Sequence, residues 1–368
     1  MTRKLFQPGG PLGIRDLGND QYRMDITIPK DADGRVAREC PSVHCSPAYF
    51  KVKPGTGITR GQVVAFCPYC RHEAEPNGFA TREQVRYAKD LAIREAHKGV
   101  EALVKDALGM GSSGKRSLGG GLISMTMKYK PGTLPHVRRP FEDEVRRDAV
   151  CPHCTLDHTV FGLATWCADC GEDIFLSHVQ AELEVTRSMV SDVERRGALL
   201  GTRVAAKDLE NCLEDAVSIF EAALKAMTRR RFSARGESPE QVETRLRKLG
   251  NTFQNIARTQ EQLAELFGVA GTDNVDWTSL QQAFEKRHPI THNLGVVDRK
   301  YLERAQAAER QGREVRITEA EVEALLVAVS VAVGAIHAQL FPAAKRGMTG
   351  GDESHLPPQD PLRGDPCL

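Results

Sequence analysis

The chain has 368 residues, 40% hydrophobic and 27% charged, which excludes a wholly disordered polymer and suits a folded protein of two or three domains. It carries 50 Lys and Arg against 49 Asp and Glu, a net charge of +1. That balance excludes a chain-wide polycation, so any nucleic-acid surface has to be local. The opening MTRKLFQPGGPLG lacks the apolar stretch of a secretory signal. The longest apolar run, ALLVAVSVAVGAIHA at 324–338, reads as a buried helix too short to span a membrane. A cytoplasmic protein with no membrane partner is the expectation.

In chain order, residues 1–22 read as a loose, flexible leader, and QYRMDITIP as one short strand followed by a turn at DADG. A first zinc-ribbon-like module is expected over 23–80, with AYFKVKPG and QVVAFCPYC as candidate strands. A helix covers 81–108, opened by a capping box between Thr81 and Gln84, with Val85, Ala88, Ala92 and Ala96 on one face. GMGSSGKRSLGGG at 109–121 is a Gly-rich flexible loop. It is no phosphate-binding loop, because Gly114-Lys115 is followed by Arg116 rather than Ser or Thr. Residues 122–175 hold a strand and a second zinc ribbon, and 176–199 a connecting helix.

From 200 to 341 the chain reads as an all-α bundle. Leu209, Cys212, Leu213, Ala216, Phe220, Ala223 and Leu224 fall on one helical stripe. Ser238-Pro239, Asp276, Asp298 and the pair Thr318/Glu321 are start signals for further helices. The Pro/Gly-rich segment 342–368 reads as a disordered tail. The fold class is therefore multidomain and mostly α: two small zinc-ribbon-like β modules, then an all-α helical bundle.

Eight of the ten cysteines form two sets of four; Cys212 and Cys367 stand alone. Cys151-x2-Cys154 and Cys167-x2-Cys170, twelve residues apart, have ribbon spacing. Cys40-x4-Cys45 followed by Cys67-x2-Cys70 is looser, and His44 is an alternative ligand to Cys45. Close pairs in a reducing compartment read as metal ligands, so two structural Zn2+ sites are expected. Two sets of four argue against a redox CxxC centre and against an open catalytic zinc. Around the first set, Arg38, Lys51, Lys53, Arg71 and His72 interleave with Tyr49, Phe50 and Tyr69, a composition that suits either single-stranded nucleic acid or a small aromatic core. Lys128, Lys130, Arg138 and Arg139 add basic residues between the sets.

RHPITHN at 287–293 is the other concentration of chemistry. Pro289 disfavours helix through His288, so Arg287 is expected to end one helix and a second element to begin. A guanidinium can hold a phosphate and an imidazole can move a proton near neutrality. Three readings compete: a phosphate-cleaving centre of Arg287 and His292, a metal pair His288-x3-His292 with Asp298 reaching across, or side chains that only tie helix ends.

With Arg287, polar His288 and His292 in the context FEKRHPITHNLGVVDRKYL, and NTFQNIARTQEQLAELFG before it, the region 200–341 resembles the HEPN superfamily. These are compact helical bundles found in many RNA-cleaving toxins, defence proteins and RNA-processing enzymes. The resemblance covers roughly 40% of the chain, and the ribbons lie outside it. It implies an HEPN-like bundle and a homodimer, with Arg287 and His292 of two subunits facing one cleft. It also implies metal-independent RNA cleavage that leaves a 2′,3′-cyclic phosphate. His288 takes the polar position commonly held by Asn. Asn293 is a supporting candidate, as are Asn211 and Asp215 on the first bundle helix. RNA is the implied substrate, with an antitoxin or regulatory protein as a further partner, in bacterial defence or RNA quality control. The alternative is a noncatalytic RNA-binding or protein-interaction module with structural zinc sites.

Overall fold

The computed structural model describes residues 5–110, 114–119, 125–145, 147–270, 272–305 and 309–342. The expected disordered tail from 343 onward, Cys367 and part of the Gly-rich loop lie outside the described residues. Strands β1 (Arg15–Gly18) and β2 (Gln21–Arg23) pair antiparallel. Asn19 and Asp20 turn the chain between them with φ of 50° and 57°, a conformation these two residue types tolerate because their short polar side chains bond locally. The expected loose leader is thus a hairpin over residues 15–23, and the strand read in QYRMDITIP stops at Arg23.

Four strands flank the first cysteine set: β3 (Val36–Glu39), β4 (Tyr49–Val52), β5 (Ala65–Phe66) and β6 (Glu73–Ala74). Helix α1 (Arg82–Ala107) and the hairpin of β7 (Lys115–Leu118) and β8 (Met125–Lys128) follow, then β9 (Arg147–Val150) and β10 (Asp157–Val160). Lys115–Leu118 is strand where the Gly-rich composition predicts a loop. The two β modules are present, but they are fused. One antiparallel sheet runs β3-β4-β10-β9, and the β4–β10 pairing sets Val52 opposite His158 and Phe50 opposite Val160. A single core lies under it, containing Phe50, Phe79, Leu156, Val160, Ile174 and two buried cysteines from each set, Cys40 and Cys67 from the first and Cys151 and Cys167 from the second. Arg35 ties the modules further, reaching Asp148 at 3.0 Å and Asp157 at 2.8 Å.

Helix α1 starts in the predicted capping box, with Gln84 N–H donating to Thr81 Oγ1. Gln84 Nε2 also donates to the Ala37 carbonyl at 2.8 Å, which docks the helix on β3. The predicted apolar face is only half-covered, and Val85 is 42% exposed. Gly99 lies where a Cβ would strike the Leu5 carbonyl, so this mid-helix glycine lets the N-terminal segment approach.

The helical unit comprises α2 (Phe175–Ser191), α3 (Val193–Leu200), α4 (Thr202–Ala234), α5 (Pro239–Leu249), α6 (Ile256–Phe267), α7 (Trp277–Asn293), α8 (Arg299–Ala305) and α9 (Glu319–Leu340). Every start signal read in the sequence is used: Ser238, Asp276 and Thr318 accept first-turn N–H groups, and Asp298 accepts from Tyr301 N. α4 is the central helix and packs against α2, α3, α5, α7 and α9. The predicted stripe of α4 is buried from Leu209 to Leu224. Phe175, Val179, Leu183 and Val190 put α2 in the same core, so the expected connecting helix is a full bundle member. α9 runs for 22 residues, longer than its apolar run suggests, and is long and apolar enough by length and composition to cross a membrane. Eight of its side chains, from Val322 to Leu340, lie in the bundle core. Trp166 joins the sheet to the bundle, with Arg71 over its ring at 4.8 Å and Arg230 at 4.3 Å.

Candidate functional site

Three of the four cysteine turns are built alike. In each CxxC the residue after the second cysteine (Arg71, Thr155 or Gly171) has φ between 62° and 68°. Its N–H returns to the carbonyl of the first cysteine, at 3.0, 2.9 and 3.1 Å. Backbone N–H groups of Tyr69, His153 and Asp169 point at Sγ of Cys67, Cys151 and Cys167, which stabilises thiolate charge. The fourth turn differs: Cys45 N donates to Ser42 O, and Cys40 N to Ala48 O beyond a cis Ser46–Pro47 bond.

Within each set the four sulfurs lie within 4.8 Å of one another. The closest pairs are 3.7 Å for Cys40–Cys70, 3.6 Å for Cys45–Cys67, 3.7 Å for Cys151–Cys170 and 3.4 Å for Cys154–Cys167. These separations exceed a disulfide bond. They match the edge of a tetrahedron with metal–sulfur bonds of about 2.3 Å, which is about 3.8 Å. Both sets therefore fit structural Zn2+ sites closed by four thiolates. His44 is not a competing ligand; its Nδ1 lies 3.5 Å from Glu240 on α5.

The basic and aromatic residues around the first set are mostly committed to the fold. Phe50 is 2% exposed. Tyr69 Oη donates to Tyr49 O and accepts from Phe161 N. Lys51 is buried between Asp31 and Glu142. Lys53 pairs with Asp157, and Arg71 stacks on Trp166. Arg229 and Arg230, near the end of α4, pair with Glu243 and Asp173.

RHPITHN adopts a different course from the one its proline suggests. α7 continues through Pro289 to Asn293 and stops at Leu294, whose φ is 52°. Proline removes one helical hydrogen bond and crowds the preceding turn, a cost of about 3 kcal/mol. Burial of Leu280, Phe284, Pro289 and Ile290 opposes that cost. The consequence is that Arg287, His288, Thr291 and His292 share one helical face.

That face forms one wall of a cavity of about 300 Å³. Asn251, Gln254, Asn255 and Arg258 form the other wall, and Glu285 and Arg304 also line it. Three arginines face one glutamate, a surplus of two positive charges among the arginine and glutamate side chains. Arg304 lies 4.0 Å from Glu285. Arg287 donates to a neutral partner, Gln254 Oε1, at 3.0 Å. The His288 and His292 rings are 5.0 Å apart. Burial, then the charge of Lys300, holds His288 below the ordinary histidine range, against the pull of Asp298. A larger cavity of about 570 Å³ between β9 and α2 lacks this surplus, because Arg147 there is paired with Glu182.

The other expected site residues do not converge here. Asn293 Nδ2 donates to Asp298 at 2.9 Å and ties the α7 end to α8. Asn211 and Asp215 do not line the cavity; Asp215 is held above its ordinary value by burial, opposed by the charge of Arg147. From α4 it is Glu214, itself outside the cavity lining, that meets α7, accepting from Thr291 Oγ1 at 3.0 Å. As for a histidine metal pair, His288 Nε2 is 3.9 Å from Asp298. Among the described residues only the two cysteine sets bring three or more ligand atoms within 4.8 Å. Sequence reading missed Gln254, Arg258 and Glu214, which carry no local motif.

No protein-family model matches this chain, and no curated protein or solved structure matches it significantly. The chain is thus a mostly helical bundle joined to a sheet that holds two metal-binding cysteine clusters.

Proposed function

We propose that the protein is an endoribonuclease whose cleavage chemistry needs no metal ion, with the α6–α7 cavity as its active site. The observation that carries the reading is the cavity's uncompensated positive charge, set beside two histidines. Arg287 holds the scissile phosphate through paired N–H donors. His292 serves as general base or acid. The 2′-oxygen bonds to phosphorus as its proton leaves, and the bond to the 5′-oxygen breaks as that oxygen gains a proton. The products carry a 2′,3′-cyclic phosphate and a 5′-hydroxyl. His288 stays neutral at neutral pH and orients the phosphate without adding charge.

The resemblance of Arg287-x4-His292 to the HEPN motif supports this reading. It extends the proposal to a homodimer in the cytoplasm, controlled by an antitoxin or regulatory protein, in bacterial defence or RNA quality control. The zinc sites brace the sheet and take no part in the reaction. A noncatalytic RNA-binding module is the second reading, favoured by Asn293, which turns away to Asp298.

The test incubates full-length, zinc-loaded wild type, Arg287→Ala and His292→Ala with mixed cellular RNA and no free divalent cations. Cyclic-phosphate ends produced by wild type alone support the proposal. Equal cleavage by all three proteins overturns it. Intact RNA with Arg287-dependent binding establishes the second reading instead.

A further inference from the structure

Arg287 is gripped from outside its own helix. Its guanidinium donates to Gln254 Oε1 at 3.0 Å, and the same amide donates through Nε2 to Glu221 Oε2 at 2.7 Å. The second oxygen of Glu221 lies 2.5 Å from Lys225 Nζ. A carboxylate only accepts and a guanidinium only donates, so this chain fixes the amide's orientation. Nitrogen must face Glu221 and oxygen must face Arg287. Gln254 sits in the short turn Thr252–Gln254 beside buried Phe253, and Glu221 on α4, the central helix. Both are set on packed parts of the fold.

The residue types separate orientation from charge. A carboxylate at position 254 would hold Arg287 equally well but would neutralise it, and an arriving phosphate would compete with that ion pair. The amide supplies the acceptor without the charge. The negative charge needed to orient the amide stands one residue further back, on Glu221, where Lys225 offsets it. We infer that Gln254, backed by Glu221, is a positioning residue that presents Arg287 to a phosphodiester of single-stranded nucleic acid with its positive charge uncompensated. This deepens the proposed function and rests on its assignment of Arg287 to the phosphate.

The test measures binding of a 2′-O-methyl oligoribonucleotide, which the proposed chemistry cannot cleave, to the full-length protein across a salt series. Gln254→Glu is expected to weaken binding on the order of tenfold, as for a charge-assisted hydrogen bond lost to competition. The slope of log K against log salt should shrink by about 0.7, the value for one phosphate contact on a single strand. The double variant Gln254→Glu with Glu221→Gln restores the hydrogen-bond chain and the total charge but leaves the carboxylate beside Arg287. Its thermal midpoint should return toward wild type while its affinity stays low. Recovery of both would reduce Gln254 to a structural role and overturn the inference. Unchanged affinity in Gln254→Glu would also overturn it, with the nuclease reading intact if wild type still cleaves RNA. The expected binding pattern without any RNA cleavage by wild type leaves the inference standing and removes the nuclease.

Discussion

Two buried histidines set an acid limit on the fold. His158 on β10 is 0% exposed and His178 on α2 is 2% exposed. His178 Nδ1 accepts from Ala164 N, so its proton sits on Nε2 in the neutral ring. Burial pushes both groups from 6.5 down to about 4. Around His158, Asp157 favours protonation and Arg35 opposes it. Around His178, His158 and Arg147 oppose it; Glu182, 3.7 Å away, is also bonded to Arg147. Because the folded values are lowered, the unfolded chain binds these protons first. The stabilisation is complete above pH 6.5 and is lost as pH falls through about 4. Across that window each histidine accounts for about 3 kcal/mol, and roughly 2 kcal/mol is already gone at about pH 4.5. Acid also weakens thiolate–zinc bonding, so the histidine share has to be isolated by difference. Urea unfolding of wild type and His158→Phe, each from about pH 7 to pH 4.5, does this because the zinc contribution is common to both. The wild-type loss should exceed the variant's by roughly 2 kcal/mol. Identical pH dependence in the two proteins would refute the argument.

Further predictions concern the metal sites and the contacts that bind the sheet to the helices. Native mass spectrometry should find two Zn2+ per chain, and Cys167→Ser should destabilise the whole β3-β4-β10-β9 sheet in one transition, since both sets share its core. Separate melting of two modules would contradict the shared core. Gln84→Ala should lower stability by about 1–3 kcal/mol in chemical denaturation, because it removes half of a capping box and the buried bond to Ala37 O. Trp166→Ala removes the ring between Arg71 and Arg230, and calorimetry is expected to show one transition for the wild type and separate sheet and bundle transitions for the variant. Leu326→Ala, at a fully buried position on α9, should cost about 2–5 kcal/mol.

What the sequence disclosed follows from how local each signal is. A CxxC turn is set within five residues, so six of the eight ligands were legible from it, and Cys40-x4-Cys45 was read by its looser spacing; the caps at Thr81, Ser238, Asp276 and Thr318 were legible too. The pairing of β4 with β10 joins Val52 to His158, far along the chain, and no short-range pattern records it. The fused sheet therefore read as two modules. Pro289 misled in the opposite way: its local preference is real, but buried neighbours on α7 outweigh it. The proposed catalytic pair, Arg287 and His292, was visible as a motif, whereas the side chains that contact it were not. Gln254 and Glu221 stand 33 residues from Arg287 and from each other respectively, and only tertiary packing brings the three together. Asn211 and Asp215 do not line the cavity, and Glu214 is the residue of that turn that reaches Thr291.

The central claim is attack by a 2′-hydroxyl on a phosphate held in the α6–α7 cavity. An RNA that the wild-type protein cuts at one mapped bond, resynthesised with a single 2′-deoxy nucleotide on the 5′ side of that bond, tests it most directly. The expected result is that this bond stays intact while binding is retained. Cleavage of the deoxy-substituted bond at the original rate would contradict the account.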